Sequence, residues 1–283
     1  MTVRVPRTCT ATGLRLLPCT GEIGHRIAKN TYAPISAPTR HDAGDNHTER
    51  SSWGRYDAVG TETLYTGGSR TGALAEVLSS FKLPLGTGSA LEVDARALGL
   101  TLEEFLVDVA ADWEERSFMQ TGALPRSWRD DRAALLIRQP AAGWLVDVEH
   151  PDSISALEPI LTTHLLVGGY ATFTTAALRS DDRALTTAIA DIVHDASLDD
   201  GSQPMGIHFG SKFGGSWCRA FWLDRAAGDL TVTGTEPITL DNPDFLTATR
   251  RFGIRVLEAP ALGRRPLAVT ARWPRGRVPA LLR

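Results

Sequence analysis

Between Arg55 and Leu78 the chain crowds an arginine-aromatic pair, Arg55-Tyr56, a second tyrosine, Tyr65, a Gly-Gly-Ser turn and an amphipathic segment carrying Glu76. At helical spacing Glu76 points away from the apolar stripe, with Gly72, Ser79 and Ser80 as its small neighbours. A ligand could therefore lie close to the backbone there, with the carboxylate reaching into it. From spacing alone, a solvated helix glutamate is the simpler reading. Much later, Gly210-Ser211-Lys212-Phe213-Gly214-Gly215 forms a loop that delivers a hydroxyl and a cation together. A serine in such a loop is more often a turn residue. His41, Asp42, Asp45 and His47 are residue types that bind metals, but no apolar frame holds them, and a solvated loop is the simpler account.

The elements around these residues follow from periodicity. Thr63, Leu64 and Tyr65 read as a short strand, Gly67 and Gly68 as a turn tolerating positive φ, and Ser69 as a helix N-cap. Ala73, Leu74, Val77, Leu78 and Phe81 then share one face at the helical period. Leu91 to Asp94 is expected as a strand. Thr101 and Glu104 make a capping box before a helix through Leu102, Phe105, Leu106, Val109 and Trp113. Leu135 to Ile137 and Gly143 to Val148 read as two strands joined through Pro140. Ile154 to Leu166 is an apolar run broken by Pro159, and Ser180 is placed as the cap of a helix whose core face is Leu185, Ala188, Ile189, Ile192 and Val193. Ile207 and Phe209 alternate as in a strand, and the return strand from Trp217 to Leu223, apolar on both faces, is expected at the sheet centre.

With 42% hydrophobic and 22% charged residues in 283, the composition is that of a globular protein, and a net charge of -3 gives no general attraction to nucleic acid or an anionic membrane. The first twenty residues, interrupted by Arg4, Arg7 and Arg15, lack the apolar segment of a secretory signal, and no run approaches a membrane span. Cys9, Cys19 and Cys218 are an odd number without a C-x-x-C pair, which argues against a disulfide scaffold and makes a reducing cytoplasm the expected setting. Cys9 and Cys19 fall in an N-terminal tail expected to be partly disordered.

Arg55-Tyr56, Leu64-Tyr65 and Thr71 to Leu78, followed far downstream by Gly206 to Lys212 and Trp217 to Trp222, resemble in order the two halves of the RES domain, named for its arginine, glutamate and serine. The likeness extends over roughly residues 25 to 257 and opens with Gly24-His25-Arg26-Ile27. It implies one mixed α/β domain resembling the ADP-ribosyltransferase fold, two small sheets with flanking helices and a cleft for NAD. It is flanked by extensions at 1–24 and 258–283, the latter carrying Arg264, Arg265, Arg272, Arg275, Arg277 and Arg283 without an acid. By the same resemblance Glu76 stabilises positive charge on the ribose as the nicotinamide bond breaks, Arg55, with Arg26 assisting, anchors the pyrophosphate, Tyr56 and Tyr65 pack a ring, and Ser211 hydrogen-bonds ribose or phosphate. Lys212 stands where the family has arginine, which leaves its own role open.

The resemblance further implies a toxin that consumes NAD as substrate, by hydrolysis or phosphorolysis and without a metal, neutralised by an Xre-type antitoxin. An ADP-ribosyltransferase acting on a macromolecule is the alternative, and a non-catalytic binding module a second one. No membrane or direct nucleic-acid partner is expected, and homo-oligomerisation is left open.

Overall fold

The computed structural model describes residues 4–41, 50–82, 87–105, 107–108 and 122–256. Nine strands form one mixed sheet: β1 (Arg7–Thr8), β2 (Arg15–Pro18), β3 (Ile23–Lys29), β4 (Thr63–Gly67), β6 (Arg132–Arg138), β7 (Trp144–Asp147), β8 (Gly206–Gly210), β9 (Trp217–Trp222) and β10 (Thr231–Pro237), with β5 (Ala123–Leu124) and β11 (Arg255–Val256) paired separately. The spatial order is β1-β2-β7-β8-β9-β4-β3-β6-β10. The β7–β8 pair is parallel and the other pairs of this sheet are antiparallel.

The expected mixed α/β architecture is present, but the strands do not fall into two separate small sheets. Instead the six strands from β1 to β4 meet the three from β3 to β10 at a single register pair, His25 with Gly67. By contrast, β3 pairs with β6 over seven positions and β4 with β9 over five. The sheet is two halves joined by a narrow seam.

Period-two alternation sorts the side chains. Leu16, Val146, Ile207, Phe209, Cys218, Ala220 and Trp222 share one face with Tyr56, and the helix Arg183–Asp195 closes over them through Leu185, Ile189 and Val193. Leu64, Leu135, Ile137, Leu145 and Phe221 fill the other face. Strand β9 is central and its residues from Cys218 to Trp222 are buried, as its apolar sequence predicts. A third cluster sits between the helix Arg70–Leu78, the helix Pro243–Phe252 and Trp128.

Several expectations are corrected. Leu91 to Asp94 is not a strand but part of the helix Thr87–Ala97, where Glu92, Val93 and Asp94 are exposed and Ala95 is buried. Val93, the residue expected to face a core in a strand, is exposed instead, and the alternation of four residues is too short to fix a sheet face. Asp182, not Ser180, caps the helix Arg183–Asp195, accepting from the Leu185 N–H at 3.1 Å. The N-terminal residues are built into the fold: β2 pairs with β7, and Cys9, Leu14 and Leu16 are core residues. The three cysteines are free and buried. The capping box holds, with Thr101 and Glu104 bonded reciprocally. Of the helix expected after it, Leu106, Val109 and Trp113 lie outside the described residues, as do Asp42, Asp45, His47 and the arginine-rich C-terminus. Among the described residues no helix is long and apolar enough to cross a membrane.

Candidate active site

Strand β4 ends at Gly67, and the chain turns straight into the helix Arg70–Leu78. Ser69 caps that helix as expected, accepting the Gly72 N–H at 3.1 Å. The two glycines of the turn serve a different purpose from the one read in sequence. Neither has positive φ; a Cβ on Gly68 would stand 2.5 Å from the Trp217 ring, and one on Gly72 would stand 2.7 Å from Ser216. The turn is glycine-rich so that the helix can lie against the β8–β9 loop. Ser79 and Ser80 bond back to the carbonyls of Glu76 and Val77. The small face beside Glu76 is therefore taken up by protein rather than open to a ligand at Gly72.

That close packing brings the remote residues together. Ser211, 1% exposed, donates its Oγ–H to Glu76 Oε1 at 2.6 Å, across 135 positions of sequence. Ser211 Oγ also accepts the Phe213 N–H at 3.2 Å, which fixes the hydroxyl so that its proton faces the carboxylate. On neighbouring β9 the Cys218 thiol lies 3.8 Å from the same Glu76 oxygen. Burial, and then the Glu76 charge, push that thiol up to about 12, so it stays protonated and is no nucleophile at neutral pH.

Arg55 is 7% exposed, its guanidinium carbon 5.3 Å above the Phe209 ring. Its Nε and Nη1 are buried with no hydrogen-bond partner. The charge is felt by Cys218, Glu149 and Asp181, so Arg55 belongs to the same neighbourhood as Glu76 and Ser211. A buried guanidinium with idle donors is suited to receive an anion from outside.

The remaining expected residues divide. Lys212 follows Ser211 but is engaged, its Nζ 2.7 Å from Asp181 Oδ1. That bond, more than any other influence, holds the Asp181 carboxyl below its usual range. Tyr56 is fully buried, with its hydroxyl donated to the Leu178 carbonyl at 3.0 Å and its ring 4.7 Å from Phe209. It is a wall of the core, not a surface for stacking a ligand ring. The Tyr65 hydroxyl is likewise spent, donating to Asp57 at 2.7 Å and accepting the Tyr56 N–H at 2.9 Å, so it ties down the backbone next to Arg55. Arg26 is not brought to the cluster. Pairing of His25 with Gly67 puts Arg26 on the sheet face opposite Tyr65 and Cys218, where its Nη2 bonds the Ser36 carbonyl at 2.8 Å.

Sequence reading missed Glu149 and Arg179. They pair through two bonds, Nε to Oε1 at 2.8 Å and Nη2 to Oε2 at 2.5 Å, directly against Gly210. Burial raises the Glu149 carboxyl, but the bonds and charge of Arg179, with the Gly210 N–H and the Arg55 charge, together hold the group below its usual range. No motif spacing marks a pair thirty residues apart. Asp57, which orients Tyr65 and pairs with Arg40 at 2.6 Å, was missed for the same reason. A groove of about 690 Å3 lined by Arg126, Arg129 and Thr235 shares no residue with this cluster.

What the fold and this cluster define is a mixed α/β domain in which a helix carboxylate, a loop hydroxyl and an arginine with two idle buried donors share one neighbourhood. The model of the RES domain family matches residues 23–157, a span that contains Arg55 and Glu76 and ends before Ser211. Among solved structures, the chain aligns with one in the M. tuberculosis MbcT-MbcA toxin-antitoxin complex at 13% identity, over 82% of this chain and 88% of that one, with a TM-score of 0.38. No curated protein matches the chain.

Proposed function

We propose that the chain is a RES-type toxin that consumes NAD by breaking the bond between nicotinamide and ribose, and that an antitoxin protein neutralises it. The observation that carries this reading is the 2.6 Å bond from Ser211 to Glu76 with the unpartnered Arg55 in the same neighbourhood. As the nicotinamide leaves, the ribose carbon and ring oxygen become cationic, and a fixed carboxylate stabilises that state more than the neutral sugar. Glu76 is the carboxylate, Ser211 holds it in one orientation, and Arg55 takes the pyrophosphate with its idle donors. Lys212, next to Ser211 but paired with Asp181, would have to leave that carboxylate to meet a phosphate. The RES match supports an NAD-processing enzyme in general; the acceptor, water or phosphate, is the finer part of the proposal.

The test is to incubate purified protein with NAD and follow nicotinamide release with and without added phosphate. Wild type should release nicotinamide, and Glu76→Gln should lower the rate at least a hundredfold while leaving the melting temperature near that of wild type. Intact, folded wild type that releases none overturns the proposal. Transfer of label from NAD to a macromolecule, with little free ADP-ribose, would replace it with the transferase reading.

A further inference from the structure

The groove of about 690 Å3 lies at the β10 edge of the sheet, where the end of β10 meets the start of β6 and the short helix Arg126–Asp130. Three of its lining residues are arginines, Arg126, Arg129 and Arg132, against one carboxylate, Asp130. Two of the three are already held in place. Arg126 Nε lies 3.0 Å from Asp130 Oδ2, and Arg132 donates to the Trp128 carbonyl at 3.1 Å while lying 4.7 Å over the Trp128 ring.

Arg129 is different. It is 8% exposed, its Nε is buried without a hydrogen-bond partner, and among the described residues it enters no ion pair. A largely buried guanidinium with an idle donor and no counter-charge gains from an anion. The groove that Arg129 lines offers such an anion a place to reach it. Thr235 and Thr239 add hydroxyls to the lining, and Ile238 and Leu240 add apolar surface.

We propose that this groove is a second anion site, separate from the one at Glu76, taking a phosphate-bearing small molecule of nucleotide size. The planar fork of arginine matches phosphate oxygens. The volume falls within the range of small-ligand sites, and the mixture of an apolar wall with a few convergent donors suits an ester that carries a ring beside its phosphate. Because Arg132 is held by the Trp128 carbonyl and ring before any ligand arrives, its side chain loses little freedom on binding. The proposal does not depend on the reaction proposed for Glu76.

The experiment is calorimetric titration of the full-length protein with inorganic pyrophosphate and with ADP. Both should bind wild type. Arg129→Met should weaken both at this site at least tenfold, melt no lower than wild type because a buried unpaired charge has been removed, and cleave NAD at the wild-type rate. Arg55→Met should leave this binding in place, which separates the groove from the Glu76 site. If Arg129→Met fails to fold, Arg126→Met, at an exposed position, should still weaken binding severalfold. Binding that is absent in wild type or unchanged in the folded Arg129 or Arg126 variant overturns the proposal. So does binding of an acidic peptide such as hexaglutamate where pyrophosphate and ADP fail.

Discussion

Replacing Ser211 by alanine removes one hydroxyl from a site that is 1% exposed, and with it the bond that orients Glu76. A hydrogen bond to a charged group contributes about 1.5–3 kcal/mol, and each 1.36 kcal/mol on a barrier is about tenfold in rate. If the hydroxyl positions the carboxylate for the transition state, kcat for nicotinamide release should fall by roughly ten- to a hundredfold. KM should change little, since Arg55 still holds the pyrophosphate. Leaving the Phe213 N–H without its acceptor at 3.2 Å should also cost about 1 kcal/mol of stability, visible as a small drop in melting temperature. The assay is steady-state nicotinamide release over a range of NAD concentrations, with a thermal melt on the same sample. Folded Ser211→Ala with wild-type kcat would show that the 2.6 Å bond is architecture alone. A rise in KM with kcat preserved would move Ser211 from positioning the acid to binding the substrate.

Arg55→Met should behave in the opposite way, raising KM for NAD about tenfold or more while the melting temperature changes little, because two of its buried donors are idle and Glu149 and Asp181 feel its charge without pairing directly with it among the described residues. A destabilised variant with unchanged KM would refute the anchoring role. The N-terminal strands should loosen in acid. Bonds from Ser202 and Trp144 hold the Asp200 carboxyl down at about 2, and Arg7 holds Asp199 low as well. A depressed carboxyl contributes stability that is present above its unfolded value, near 4, and is lost as pH falls through its folded one. Protection of the β2 amides from hydrogen exchange, corrected for the intrinsic rate, should therefore fall between about pH 4 and pH 2, and Asp200→Asn should lessen that acid dependence. Exchange indifferent to both would refute it.

Much of the architecture could be read from period and punctuation. The apolar run of β9 announced a central strand, the stripe from Ala73 to Phe81 a packed helix, and Ser69 its cap, because each depends on a few adjacent residues. The order Arg55, Glu76, Ser211 was readable through resemblance, and the bond between the last two lies where the two blocks meet. What failed depended on pairing partners far along the chain. Arg26 is one position out of phase with the face that carries Tyr65, a fact set by the single pairing of His25 with Gly67 and invisible without it. Tyr56 and Tyr65 looked available as ring platforms until Leu178 and Asp57 claimed their hydroxyls. Leu91 to Asp94 alternates like a strand over four residues, too short a stretch to distinguish from the exposed turn of a helix.

The seam between the half-sheets bears directly on the acid. The helix carrying Glu76 is joined by its chain to β4, in the six-strand half, yet it packs against β3 and the helix Pro243–Phe252 on the other side of the join. Ser211 and Cys218 travel with β8 and β9 in the first half. Glu76 thus rides on a helix that is chained to one block and wedged between the two, so a force that opens the join, from a binding partner or from a bulky side chain at Gly67, would strain the bond between carboxylate and serine without touching either residue.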